Sequence, residues 1–180
     1  MSKKQISSLL AAAAAALLAT APAHATITVF TTTLSGANEV PINASPATGN
    51  ATVTFDDAIS SVSVVVNFSG LTGGTASAAH IHCCIAPPGN VGVALGFPSF
   101  PAATSGTYSA TPTVYTGGAT FASVLAGAIA GQAYVNIHDA AFGAGEIRGF
   151  LVPVPEPGTY ALMLGGLAAV GALVRRRKAA

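Results

Sequence analysis

The cations of this chain are not spread over it. Of seven Lys and Arg residues, all but Arg148 flank two long apolar runs at the ends. Lys3 and Lys4 precede an Ala- and Leu-rich run from Ile6 to Ala21, and Ala23-His24-Ala25 follows it. A basic start, a short apolar core and small residues at Ala23 and Ala25 make a secretory signal peptide over 1–25, with signal peptidase cutting before Thr26. At the other end Thr159 to Val174 is free of charge and is followed by Arg175, Arg176, Arg177 and Lys178. At about 1.5 Å per residue this run spans roughly 24 Å, a little under a hydrocarbon core. It predicts a transmembrane helix over 159–174, with 175–180 as a basic cytoplasmic tail by the positive-inside rule. The high mean hydropathy of +0.61 therefore belongs largely to address segments.

What remains, 26–152, has the size of one domain. Its charges are Glu39, Asp56, Asp57, Asp139, Glu146 and Arg148, so it is mildly acidic although the whole chain carries +1. Such a surface has no electrostatic footprint for nucleic acid, and that class of partner is excluded. Val62, Val64, Val66 and Phe68 alternate with Ser61, Ser63 and Asn67, the period of a strand with one buried face. Further strands are predicted at Thr26–Leu34, Ala51–Phe55, Ala78–His82, Gly106–Ser109, Ala133–His138 and Glu146–Val152. Gly, Pro, Asn and Asp punctuate the gaps. Ala119 to Ala130 differs: Phe121, Val124, Leu125 and Ile129 fall near helical spacing and predict one short helix beside the sheet. Pro98 to Pro112 reads as a long irregular excursion. The expected fold is all-β, an antiparallel sandwich or barrel-like domain with that one helix.

Three stretches form an ordered set. They are Leu34-Ser35-Gly36-Ala37-Asn38-Glu39-Val40-Pro41, Ala78-Ala79-His80-Ile81-His82, and Tyr134-Val135-Asn136-Ile137-His138 followed by Gly145-Glu146-Ile147-Arg148-Gly149. The set resembles the CHRD domain, a chordin-type module common in bacterial secreted proteins, over residues 30 to 152. That resemblance implies an all-β fold and leaves the activity open. The segment 153–158 contains Pro155-Glu156-Pro157. Followed by the apolar span and the arginines, it is similar to the PEP-CTERM sorting signal that exosortase handles. It implies transient anchoring in the inner membrane with the domain in the periplasm, then delivery to the cell surface or medium. A matrix polysaccharide or a protein is the ligand class that goes with such a location.

After signal cleavage the remaining histidines are His80, His82 and His138. His80 and His82 are two apart on a strand, so both rings point to one face. His138 falls at the phase of Tyr134 and Asn136 on another strand. If the two strands are neighbours, three neutral imidazoles converge in a set suited to copper or zinc. Glu39, Asp139 or Glu146 are candidates to orient a ligand from behind. Cu/Zn superoxide dismutases are similar in placing an H-x-H on a strand, but the mature chain has no fourth histidine to complete their copper ligands. A packing role for the histidines is the competing reading. Cys83 and Cys84 are candidates for a disulfide or for metal ligation, the disulfide being favoured in an oxidising compartment. Glu146 and Arg148 are expected to form an ion pair or a network with Glu39. No nucleophile elbow and no phosphate loop is present. The leading expectation is therefore a non-enzymatic envelope or matrix protein acting by binding or as a structural component, and the alternative is a copper or zinc protein.

Overall fold

The computed structural model describes residues 26–155, 163–168, 170, 171 and 175. The signal peptide with Ala23 and Ala25, and the sorting residues Glu156, Pro157, Arg176 and Arg177, lie outside the described residues. The predicted transmembrane span falls largely outside them too. Residues 163–168 are helical, and among the described residues no helix is long and apolar enough to cross a membrane.

The domain is one antiparallel sheet of ten strands. In chain order these are β1 Ile27–Ser35, β2 Thr48–Asp56, β3 Ser61–Ser69, β4 Ala78–Cys83, β5 Val93–Gly96, β6 Gly106–Ala110, β7 Val114–Tyr115, β8 Ala133–His138, β9 Ile147–Phe150 and β10 Val152–Pro153, with helix α1 at Phe121–Ile129. The spatial order is β6-β3-β2-β1-β9-β8-β4-β5-β7, with β10 added beside β1. The sheet curls as a half-barrel rather than dividing into two stacked layers, and β6 and β7 lie at opposite ends of its path. Two of its strands, β5 and β7, carry no alternation in the sequence. They are four and two residues long; β5 forms on the flank of β4 that β8 leaves open, and β7 forms in turn on β5.

Alternation fills the concave side. Val62, Val64, Val66 and Phe68 of β3, Val53 and Phe55 of β2, and Phe30 and Leu34 of β1 are all buried. Phe30 meets Phe55 edge-to-face at 5.6 Å, and Phe55 meets Phe121 of α1 at 5.8 Å. The helix starts where its sequence says it should. Thr120 accepts from the Ser123 N–H at 3.2 Å while Ser123 Oγ accepts from the Thr120 N–H at 2.9 Å, a reciprocal capping box. Val124 and Ala128 then seal the core end.

Strand β8 is different, because five of its six residues are buried. Val135 and Ile137 join the apolar core. Tyr134, Asn136 and His138 occupy the other face, which the loops 84–92 and 139–146 cover. Polar residues on a covered face need partners, and those partners make the site. Removing the aromatic hinge of the core, Phe55→Ala, should cost about 3–5 kcal/mol, read as a fall in the urea midpoint with an unchanged slope.

Candidate metal centre

Register brings the three histidines together. In the β4–β8 ladder His80 lies opposite Asn136, His82 opposite Tyr134 and Ala78 opposite His138. His80 and His138 are thus diagonal neighbours on one face, and His82 follows one step along. Ring centroids are 5.1 Å apart for His80–His138, 5.7 Å for His80–His82 and 5.8 Å for His82–His138. One ring nitrogen from each lies within 4.8 Å of those of the other two.

The hydrogen bonds decide which nitrogens are free. His82 Nδ1 lies 2.7 Å from the Val91 carbonyl and His138 Nδ1 lies 3.0 Å from the Gly143 carbonyl. A carbonyl only accepts, so each Nδ1 carries the proton and each Nε2 keeps its lone pair. Those Nε2 atoms are buried without a partner, and so is Nδ1 of His80. Three unpartnered nitrogens facing one another would be costly as a mere packing device. Burial lowers the pKa of all three rings, that of His80 to about 4, with the neighbouring imidazoles adding to the effect at His80 and His82. All three are neutral at physiological pH and present lone pairs.

Ring orientation is held from behind. Tyr134 stacks on His82 with centroids 4.8 Å apart and ring planes within 1°. Its hydroxyl reaches the same Val91 carbonyl at 3.4 Å and accepts from the Val91 N–H at 3.3 Å. On the other side of Tyr134 lies the guanidinium of Arg148, 4.8 Å from the ring centroid. Sequence reasoning missed Tyr134, Val91 and Gly143. Tyr134 was visible as a residue in phase with His138, whereas a backbone acceptor leaves no mark in a sequence.

The acidic residues expected behind the histidines serve elsewhere. Arg148 is fully buried and ion-pairs with Glu39 at 3.7 Å. It donates to the carbonyls of Asn38 at 2.6 Å, Pro88 at 2.7 Å and Gly89 at 3.3 Å, and to Asn90 Oδ1. Burial pushes Glu39 up to about 7 against the opposing pull of Arg148 and the Val40 N–H. Glu146 does not join this network. The chain turns at Gly145, whose φ of +127° and contact with the Asn136 amide leave no room for a side chain. Glu146 is thereby sent to a separate nest, where it accepts from Ser45 Oγ, from the Thr72 N–H at 2.7 Å, from Thr72 Oγ1 at 2.8 Å and from the Gly73 N–H at 3.3 Å. Asn43, absent from the expected set, ties the same corner by donating to the carbonyl of Glu146 at 3.0 Å.

Asp139 completes the nest. Its Oδ1 accepts from the N–H groups of Ala141 and Phe142 at 3.0 and 2.8 Å, and burial with the adjacent Glu146 raises its pKa. Burial pushes Glu146 up as well, but the hydrogen bonds it accepts from Ser45 and Thr72 outweigh it and hold the group at about 2. Cys83 and Cys84 are joined in a disulfide that rests on Gly127 of α1, where a Cβ would overlap both sulfurs. Neither sulfur is free as a thiolate ligand, and the cluster consists of the histidines alone.

The CHRD domain family model matches residues 30–151, and the PEP-CTERM protein-sorting motif matches 153–178. The sorting motif marks the chain for export and membrane-anchored transit handled by exosortase. No curated protein and no solved structure matches.

The Glu146 nest makes a prediction about acid stability. A carboxylate held at about 2 against an ordinary 4.5 adds stability in full above 4.5, and that contribution is lost as pH falls through 2. Glu146→Gln should cost about 1–3 kcal/mol at neutral pH, because the hydrogen bonds lose their charge and an NH2 replaces the oxygen that accepts from the Gly73 N–H. Urea midpoints followed from pH 6 down to about pH 2 should fall less steeply in the variant than in the native chain.

Proposed function

The chain belongs to the CHRD domain family and carries a PEP-CTERM sorting motif, and from that premise we propose that its β-domain is an exported metal-binding module. His80, His82 and His138 are the ligands, and copper or zinc is the ion. The observation that supports this most is the set of three buried ring nitrogens without partners, all facing one space.

The donor set fits such an ion. Bonds of about 2.0–2.1 Å place two ligand nitrogens at most about 4.2 Å apart. The widest pair here has an upper bound of 4.8 Å, so small ring rotations close the set. Three neutral imidazoles with no carboxylate suit copper and zinc and poorly suit magnesium or calcium. Nδ1-to-carbonyl bonds at His82 and His138 fix the tautomer in advance, the usual support of a ligating imidazole. A bound ion would supply Lewis acidity or one-electron chemistry. The protein's own part is to hold three lone pairs ready, to shield them, and to leave His80 and His138 half-exposed so that an ion can enter.

A binding role, not catalysis, is the reading adopted. The carboxyl groups of Glu146 and Asp139 are spent on their own nest and that of Glu39 on Arg148, so among the described residues no carboxylate joins the histidine cluster. The domain's partners after sorting belong to the cell surface or medium, where a periplasmic or extracellular copper or zinc pool is the relevant one.

Metal analysis by mass spectrometry tests this. The exported chain loaded with copper or zinc and freed of loose ions should retain about one ion per chain. His80→Ala and His138→Ala should each lower affinity by at least about tenfold, in line with loss of one ligand. A native chain that keeps no stoichiometric metal after loading with either ion rules the module out and leaves a structural role for the CHRD domain.

A further inference from the structure

Away from the histidines, an open groove of about 820 Å³ lies over the convex face of β1 and β2. Its floor is a small grid of polar side chains. Thr31 pairs with Thr52 and Thr33 with Asn50 across the ladder, and residues two apart on a strand share a face. Their side chains are therefore neighbours in both directions, about 5 Å across and about 7 Å along. Among the described residues, the hydroxyls of Thr31, Thr33 and Thr52 make no hydrogen bond, and the Asn50 amide uses only its oxygen, accepting from Asn67. The half-buried Phe150 and Glu39 also line the groove.

Glu39 is the unusual member. It is only 3% exposed, and its Oε1 has no hydrogen-bond partner. A buried carboxylate oxygen left open costs free energy unless something donates to it. Burial already resists its ionisation and Arg148 lies 3.7 Å away, so the carboxyl offers no free negative charge with which to select a cation. The floor strands also restrict the choice. β1 is paired with β2, β9 and β10, and β2 lies between β1 and β3, so no free strand edge is offered to an extended peptide. Arg148 is buried, and the groove offers no exposed cation to a phosphate backbone. Recognition here runs through side-chain hydroxyls, an amide and one carboxyl group, set among the apolar surfaces of Val40, Ile42, Pro87, Pro88 and Phe150.

We infer that this groove binds neutral carbohydrate, with sugar hydroxyls donating to Glu39 Oε1 and exchanging hydrogen bonds with Thr31, Thr33, Thr52 and Asn50, and an apolar sugar face packed on Phe150. The chemistry matches on each side. A sugar ring offers many donors to an acceptor that lacks one, and its C–H face suits an aromatic wall. The site is separate from the histidines and stands or falls without them.

The test is a titration of the full chain, held in micelles of a sugar-free detergent, with trisaccharides of glucose, mannose, galactose and N-acetylglucosamine. A galacturonate trimer serves as the charged control. Amide NMR signals of Thr31, Thr33, Asn50 and Thr52 should move saturably with at least one neutral trimer at concentrations up to about 10 mM. The double substitution Thr31→Val with Thr33→Val keeps the shape of the floor and removes two hydroxyls, and should weaken binding at least about tenfold. Glu39→Gln should weaken it similarly; because that change also strips Arg148 of its ion pair, the threonine variant is the deciding one. His138→Ala should bind sugar as the native chain does. The inference is overturned if no neutral trimer moves those signals, if the threonine variant binds as tightly as the native chain, or if the galacturonate trimer binds better than every neutral one.

Discussion

Arg148 is the only cation between residues 26 and 155, and it is wholly out of water. A guanidinium in that position is tolerable only when its donors are answered, and here the chain bends two segments to answer them. The segment around Asn38 gives a carbonyl and Glu39, the Pro88–Asn90 loop gives two carbonyls and an amide oxygen, and Asn38 donates back to the carbonyl of Arg148 at 3.0 Å. The flat side of the guanidinium lies over Tyr134. The covered face of β8 is built around this residue. Without it the 84–92 loop loses its contacts at Pro88, Gly89 and Asn90, which act beside those that Ile85, Asn90 and Val91 make with Gln132, Val40 and Tyr134, and that loop carries the Val91 carbonyl that fixes His82.

The same geometry explains why a polar cluster can sit on the back of an apolar sheet without collapsing it. Residues with complementary needs are sorted into three compartments. Arg148 and Glu39 form the first, Glu146 and Asp139 with Ser45 and Thr72 the second, and the histidines the third. The first two are closed networks apart from Glu39 Oε1 and Asp139 Oδ2. The histidine compartment has its outer nitrogens satisfied by Val91 and Gly143 and its inner nitrogens open. A network held outside and open inside is the arrangement expected of a preorganised cation site, since His82 and His138 already hold the ligating tautomer and only small ring rotations remain when an ion arrives.

Much of the fold could be read from residue order because it follows from local rules. The Val62-to-Phe68 alternation gave β3, the spacing of Phe121, Val124, Leu125 and Ile129 gave α1, and His80-Ile81-His82 gave a shared face. The convergence of His138 with that pair needed only that β4 and β8 be neighbours, a non-local fact that periodicity does not encode. Strands β5 and β7 escaped notice because four and two residues carry no period. The supports of the histidines escaped for another reason: Val91 and Gly143 act through backbone carbonyls, which every residue owns. Glu146 and Arg148 were expected together because they are two apart. The turn at Gly145 and the end of β9 at Ile147 put Glu146 off the strand, and the two charges go to different networks.

The central claim is that the three imidazoles form one ligand set, with the tautomers of His82 and His138 fixed by the Val91 and Gly143 carbonyls. Long-range proton–nitrogen NMR of the histidine side chains, recorded without and with zinc, reads this directly. The account predicts that zinc shifts Nδ1 of His80 and Nε2 of His82 and His138, while the Nδ1 protons of His82 and His138 remain in place on their carbonyl partners. Ring nitrogens unchanged by stoichiometric zinc, or an Nδ1 rather than Nε2 response at His82 and His138, would contradict it.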